Sequence, residues 1–186
     1  MLTEEPRDAF LQVEAWTDTG QPSRISDLFA RKIGAMYRAW SDKRLMQCDV
    51  LHESGSERDG PYRVSLDISG FSAWRFLAPE AGLHVLEIPD GKDRRNFRRA
   101  TAHVRVAPQP ETPPGSGPRA LLAQAHEIFA GQSAAGVSVV RRYREDPSPL
   151  VRDAVRGWRT GRLDRVLEGD FDLLAERDHE APHAAS

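Results

Sequence analysis

The chain has 186 residues, enough for one domain with a sizeable core or for two small units. Its 26 lysines and arginines face 28 aspartates and glutamates, and the formal net charge of -2 excludes a protein that is basic overall, so any nucleic-acid contact must come from a local patch. The single cysteine, Cys48, excludes an internal disulfide and indicates a reduced, cytoplasmic setting.

The first half of the chain predicts strands around one long helix. Residues 9–16 alternate as a short strand. Residues 23–44 carry apolar side chains at steps of three and four, which predicts an amphipathic helix capped by Ser23. The other predicted elements are strands at 46–52, 61–69, 83–88 and 101–108, a short helix at 72–82, and a loop at 89–100.

The second half begins with a proline-rich stretch at 108–118, which cannot continue a sheet and is predicted to be a linker. Gly169 should interrupt the last helix, whose apolar residues need a partner surface. The elements predicted here are a helix at 119–130, a strand at 137–143, and helical pieces at 150–158 and 162–168 that continue to about 177. Together they predict an α+β fold, with an antiparallel sheet, a helix on one face, and C-terminal helices that fold back.

The predicted loop at 89–100 is the strongest candidate binding segment. Basic residues around an aromatic ring suit phosphate contact combined with base stacking. A solvated, charged hairpin without a ligand is the alternative. The candidate RNA-binding residues are Lys92, Arg94, Arg95, Asn96, Phe97, Arg98 and Arg99.

The sequence contains no recognisable catalytic or metal-binding pattern. The six histidines show no ligand spacing, and His84 and His103 fall in predicted strands, where we expect structural roles. Cys48 is expected to be a small buried residue. The tripeptide at 130–132, Ala-Gly-Gln, is interpreted as the loop after a helix that ends at Gly131. We therefore expect no metal, no cofactor and no catalytic residue.

Four stretches, in order along the chain, resemble sequence blocks of one protein family. MYRAWSDKR (36–44) resembles the family's MYLRWAEAR, and VVRRYREDPSPLVRDAVRG (139–157) resembles IRSYVLDDSRIKDLRTG. YRVSLDISGFSAWRFLAPEAGLHVL (62–86) is similar to the family stretch that ends in AYGWLRTETGVHRL, and LDRVLEGDFDLL (163–174) is similar to AVLDGSLDQF. The blocks cover most of residues 9 to 175, and together they resemble bacterial class-I peptide chain release factors, nearer the UGA-recognising type, release factor two.

The resemblance implies a codon-recognition domain over residues 1–107 and a C-terminal segment, 119–178, that packs back on it before a tail at 179–186. The family's hydrolytic domain, which carries Gly-Gly-Gln, would lie between these parts, where the linker 108–118 replaces most of it. Its N-terminal helical domain is also expected to be absent. The Gln132 tripeptide lies on the wrong side of the missing domain, so the resemblance implies no peptidyl-tRNA hydrolysis.

The family's stop-codon loop, Ser-Pro-Phe in the UGA-recognising type, corresponds here to Ile88, Pro89 and Asp90. Only the proline is retained. Asp90 cannot stack on a base and would repel phosphate, so we do not expect stop-codon recognition.

The resemblance implies a cytoplasmic protein of translation termination or its regulation, whose partner is the ribosome or structured RNA (rRNA or mRNA). No small-molecule cofactor is implied, and neither a signal peptide nor a membrane span is predicted. Two alternatives remain open: an active peptide chain release or ribosome rescue factor, and a protein-interaction module derived from a release factor.

Overall fold

The protein is one eight-stranded sheet flanked by helices in a computed structural model. The described residues are 7–17, 23–55, 58–91, 93–111, 115, 117–133 and 136–172, with the backbone alone described at 93–95. Among the helices within these residues, none is both long enough and apolar enough to cross a bilayer. The expected tail at 179–186 and the expected helix end near 177 lie outside the described residues.

The sheet is antiparallel except where β4 pairs with β6. Its strands in spatial order are β2-β3-β1-β5-β4-β6-β7-β8. They are β1 (Ala9–Trp16), β2 (Gln47–Ser54), β3 (Arg63–Ser69), β4 (Gly82–Asp90), β5 (Asp93–Pro108), β6 (Val139–Arg144), β7 (Leu150–Asp153) and β8 (Arg159–Thr160). The predicted α+β fold is confirmed.

The helices are α1 (Arg24–Lys43), α2 (Ala73–Leu77), α3 (Pro118–Ala130) and α4 (Leu163–Arg165). A 3₁₀ turn, Ala78–Glu80, follows α2, and a π-helical turn, Val166–Asp170, follows α4. Ser23 caps α1 as predicted, because its side-chain oxygen accepts from the amide of Ser26 at 3.4 Å. We call the sheet face that α1 covers the inner face, and the opposite one the outer face.

The main core lies between α1 and the inner face. The three- and four-residue spacing on α1 buries its apolar stripe against alternate residues of the central strands, as the pattern predicts. The stripe is Phe29, Ala30, Ile33, Met36, Tyr37 and Trp40, and the strand residues include Leu11, Val13, Val64, Leu66, Ala102 and Val104.

The outer face is only partly covered. Ala125 and Phe129 of α3 pack on Phe10 of β1 and Ala107 of β5. Helix α3 also packs on β2 and β3. Of the described helices, none packs substantially on the outer face of β4, β6, β7 and β8. On that half of the outer face Arg152 and Arg159 are exposed, whereas Leu83, Glu87 and Arg142 are partly buried and Val85 is buried.

The C-terminal part returns to α1 on the inner face. Phe171 is fully buried and stacks on Trp40, with ring centroids 6.0 Å apart. Gly169 has φ +98°, and a Cβ there would lie 2.5 Å from the backbone nitrogen of Trp40. Glycine is thus required both by the left-handed backbone and by the close approach of α1.

A buried ionic cluster also holds β6 and β7 against the first half of the chain. Arg141 of β6 donates to Glu80 Oε2 at 2.7 Å and to Asp153 Oδ2 at 2.8 Å, and all three side chains are fully buried. Arg156 also donates to Glu80. Because the two arginines come from the C-terminal part and Glu80 from the turn after α2, the cluster joins distant segments of the chain.

The cluster fixes the protonation of its neighbours. Burial alone would raise the pKa of Glu80, but Arg141 and Arg156 outweigh burial and lower this pKa to about 2. Burial and the charge of Arg141 lower the pKa of His84 to about 4. His84 has Tyr143 Oη 2.9 Å from its Nδ1 and the Glu80 carbonyl 2.9 Å from its Nε2. At neutral pH Glu80 is therefore ionised and His84 is neutral, in the structural role expected for this histidine.

Two sequence-based expectations were wrong. Residues 89–100 are not a loop, because β5 begins at Asp93 and pairs with β4 almost to its end. Residues 150–158 are not helical, because Leu150–Asp153 pairs with β6 as β7, and Asp153 then accepts from the amides of Val155 and Arg156 in a turn. In both cases antiparallel pairing with the preceding strand overrides the local sequence preference.

Candidate nucleic-acid interface

The end of the β4–β5 hairpin brings together the two groups of residues that the sequence singled out. Ile88 lies opposite Arg98, and Pro89 lies opposite Phe97. A register shift follows Pro89, and Asp90 pairs with Asp93 before the turn. The codon-loop equivalent and the basic segment are therefore two strands of one structural element rather than successive parts of a loop.

Strand alternation divides the exposed side chains of this hairpin between two faces. Phe97 and Arg99 lie on the outer face with Glu87, while Asn96 and Arg98 lie on the opposite face. Phe97 is 38% exposed, so one side of its ring is available for stacking. Of the remaining candidates, Lys92 lies outside the described residues, and only the backbone of Arg94 and Arg95 is described.

A cleft of about 300 Å³ lies where the hairpin meets the start of α1. Trp16 forms one wall, and its ring lies nearly perpendicular to the His103 ring at a centroid distance of 5.4 Å. Ser26, in the first turn of α1, accepts from the amide of Thr101 at 3.3 Å, which holds the helix end against β5. The lining residues are Trp16, Thr17, Ser23, Ser26, Leu83, Val85, Arg99, Thr101, Val139 and Arg142.

The chemistry of the cleft combines an aromatic wall, an apolar floor and two guanidinium groups. Arg99 and Arg142 can donate to an anion, and the start of α1 adds a positive dipole end. Trp16 and Arg142 were missed as site residues in the sequence. The alternation in Arg141-Arg142-Tyr143-Arg144 was the available signal, since it places Arg142 and Arg144 on the face opposite Tyr143.

The tripeptide Ala130-Gly131-Gln132 lies at the C-terminal end of α3. Gly131 is the residue that follows the helix, as predicted. Gln132 is exposed and borders a second cleft, of about 270 Å³, whose wall includes His103 and Arg105. Gln132 is absent from the lining of the hairpin cleft. Within the described part of the chain, no group of histidine, cysteine and carboxylate side chains is arranged to hold a metal ion.

Comparison with known proteins gives sequence relatives for the first part of the chain. The PCRF domain family matches residues 2–104. Peptide chain release factor 1 of Akkermansia muciniphila is 32% identical over 110 residues, which cover 59% of this chain and 30% of that protein. Peptide chain release factor 1 of Chlorobaculum tepidum is 27% identical over 109 residues, which cover 58% of this chain and 29% of that protein. The chain thus spans less than a third of these relatives' length.

A solved structure extends the likeness to nearly the whole chain. RF2 of Thermus thermophilus superposes with a TM-score of 0.65 over 98% of this chain and 71% of that chain, at 18% identity, which shows a shared fold. The sequence relatives named above are release factors 1, so the nearer likeness to the UGA-recognising type stays a prediction. Because the PCRF match spans more than half of its residues, the chain belongs to the PCRF domain family and is a class-I release factor-like protein.

Proposed function

We propose that this chain binds the ribosome, or another structured RNA, through the end of its β4–β5 hairpin, and acts in translation termination or its regulation. One observation carries the proposal: the hairpin places the codon-loop equivalent, Ile88 to Asp90, directly beside Phe97 and Arg98. The named relatives are release factors 1, and the end of this hairpin lies within the region matched by the PCRF family.

The side chains at this end suit an unpaired RNA strand. Arg98 and Arg99 are exposed and can pair with phosphates, while the accessible ring of Phe97 can stack on a base. The adjoining cleft offers Trp16 as a second aromatic wall. Asp90 is exposed at the tip, at the position that corresponds to the phenylalanine of the Ser-Pro-Phe loop in the UGA-recognising type. We therefore propose binding that does not depend on a stop codon.

We also propose that the chain does not hydrolyse peptidyl-tRNA. Between β5 and β6 the described residues form α3, whose Phe129 is anchored on Phe10 of the sheet. Gln132 follows this anchored helix directly. Hydrolysis of the ester needs a water molecule oriented at the reacting carbon and donors placed for the developing oxyanion. A glutamine at the end of a helix packed on the sheet is poorly placed to reach a distant ester.

Co-sedimentation with ribosomes, with and without a stop codon in the decoding site, tests the binding proposal. The variant R98A/R99A should bind more weakly and lower the magnitude of the log–log salt slope by about 1.5, since each phosphate contact contributes about 0.7–0.9. R38A/R75A is the matched control, because it removes two exposed arginines from α1 and α2. If the two variants bound ribosomes with equal affinity and equal salt slope, the end of the hairpin would not be the RNA-binding surface.

Replacing Phe97 separates stacking from charge. F97A should weaken binding by about 1–3 kcal/mol if the ring stacks on a base, and should leave the salt slope unchanged. Peptide release from stop-programmed ribosomes tests the absence of hydrolysis. Release above background that disappears in Q132A would contradict our proposal and would favour an active release or rescue factor.

A further inference from the structure

Three arginines form a row across the open half of the outer face. Arg142 of β6 lies opposite Arg152 of β7, which lies opposite Arg159 of β8. Paired residues of adjacent strands project to the same side of a sheet, so all three side chains share this face. Arg152 and Arg159 are exposed, and Arg142 is partly exposed. We call this set the arginine row.

The arginine row is unfavourable for the fold by itself. Like charges directly opposite each other on neighbouring strands destabilise a sheet. Two further arginines, Arg99 and Arg144, share this face, on either side of Glu87. The carboxylate of Glu87 lies 3.6 Å from Arg142 and 3.3 Å from Arg152, and its single negative charge can offset only one of these positive charges. A basic surface on a chain of net charge -2 indicates a role outside folding.

The geometry favours contact with phosphates rather than with bases. With strands about 4.8 Å apart, the row extends over about 10 Å of the sheet surface. Within the described strands β6, β7 and β8, none of the side chains on the outer face is aromatic, since Tyr143 and its partner Val151 point into the core. Because Phe97 and Trp16 lie at the β4–β5 side, a single strand that crosses β6, β7 and β8 finds no ring to stack on, whereas duplex RNA presents its phosphates outward.

We propose that the arginine row binds the phosphate backbone of duplex RNA, as a second contact beside the β4–β5 hairpin. This inference rests on the proposed function, because it assumes that the chain binds RNA. It assigns the single-stranded contact to Phe97 and the end of the hairpin, and the double-stranded contact to β6, β7 and β8. Arg142 belongs to both regions, since it also lines the hairpin cleft.

The test uses the full chain with three probes: a short RNA duplex, a single strand of the same length, and ribosomes. The variant R142Q/R152Q/R159Q removes the arginine row, and R38Q/R75Q/R119Q removes three exposed arginines from helices as the matched control. The row variant should bind the duplex about tenfold more weakly or worse, with a salt slope smaller in magnitude by about 2.7, since each of three duplex phosphate contacts contributes about 0.9. Its melting temperature should stay the same or rise, because repulsion is removed. The variant R142K/R152K/R159K keeps the charges and should retain the slope.

The outcomes separate the two proposals. Duplex binding by the row variant equal to that of the control would overturn this inference, while weaker binding of R98A/R99A would leave the proposed function intact. Equal losses for duplex and single strand would overturn the assignment to duplex RNA. A parent chain that binds none of the three probes would overturn both proposals. A specific loss of duplex binding in the row variant alone supports the inference.

Discussion

The two faces of the sheet use adjacent arginines in opposite ways. Arg141 points to the inner face, where it is fully buried and paired with Glu80 and Asp153. Arg142, the next residue, points to the outer face, where it is partly exposed and has Glu87 at 3.6 Å. The side-chain period of a strand is two, so neighbouring positions differ completely in environment. Strand register, rather than residue type, assigns one arginine to stability and the other to a surface available for binding.

Truncation before β6 should reduce stability more than any other change that tests this comparison, because it removes the inner-face partners of α1. Loss of Phe171 exposes Trp40, and loss of Arg141 leaves Glu80 without its buried counter-charge. We expect the fragment 1–138 to lose cooperative unfolding, a change of the order of the whole stability, about 5–15 kcal/mol. Thermal unfolding followed by circular dichroism measures this. A soluble fragment with an unchanged melting temperature would show that the C-terminal part is independent.

The paired variants R141Q and R142Q compare the two faces directly. R141Q should lower the free energy of unfolding by about 3–5 kcal/mol, since it leaves buried carboxylates uncompensated. R142Q should change it by less than about 0.5 kcal/mol, as is usual for a surface substitution. Urea unfolding of both variants gives the two values. Similar losses in both would contradict the assignment of Arg141 to stability and Arg142 to the open face.

Acid should weaken the inner face in two stages. The pKa of His84 in the folded protein is about 4, below its usual 6.5. The contribution of His84 to the free energy of unfolding is therefore present above pH 6.5 and declines as the pH falls towards 4. The folded pKa of Glu80, about 2, lies below 4.5, so its contribution, up to about 3 kcal/mol, declines between pH 4.5 and 2. Urea unfolding across this range checks both. The variant H84Q should reduce the loss of unfolding free energy between pH 6.5 and 4. An unchanged pH profile in this variant would exclude His84 as the cause of that loss.

A smaller effect tests the close approach of the C-terminal turn to α1. G169A should destabilise the protein by about 1–3 kcal/mol more than G157A, because a Cβ at 169 would collide with the backbone of Trp40. Gly157 also has a positive φ, +76°, but a Cβ there would meet no atom within 4 Å. The control therefore carries the cost of left-handed backbone alone. Equal melting temperatures for the two variants would show that the approach of α1 tolerates a methyl group.

Sequence patterns succeeded where an element buries one face over several turns or pairs. The spacing of Ile33, Met36 and Trp40 predicted α1, and the alternation in β1 and β3 predicted these strands. The patterns failed at the far end of the hairpin, because both faces of β5 are exposed there and hydrophobic alternation is absent. They also failed at β7, because Leu150 and Val151 fit a helical pattern as well. For the candidate site, the basic residues were visible, but the cleft partners Trp16 and Arg142 were not.

By itself, the sequence determined the central helix, most strands, the glycine break at Gly169 and the basic segment beside Pro89, because local spacing and backbone restrictions govern each of these. Only the tertiary structure decided which of two neighbouring arginines is buried and which strands are adjacent. It also decided that Arg152 and Arg159, separated by a turn, lie side by side. The physical reason is that strand pairing joins residues distant in the chain, and its register depends on packing of the whole sheet.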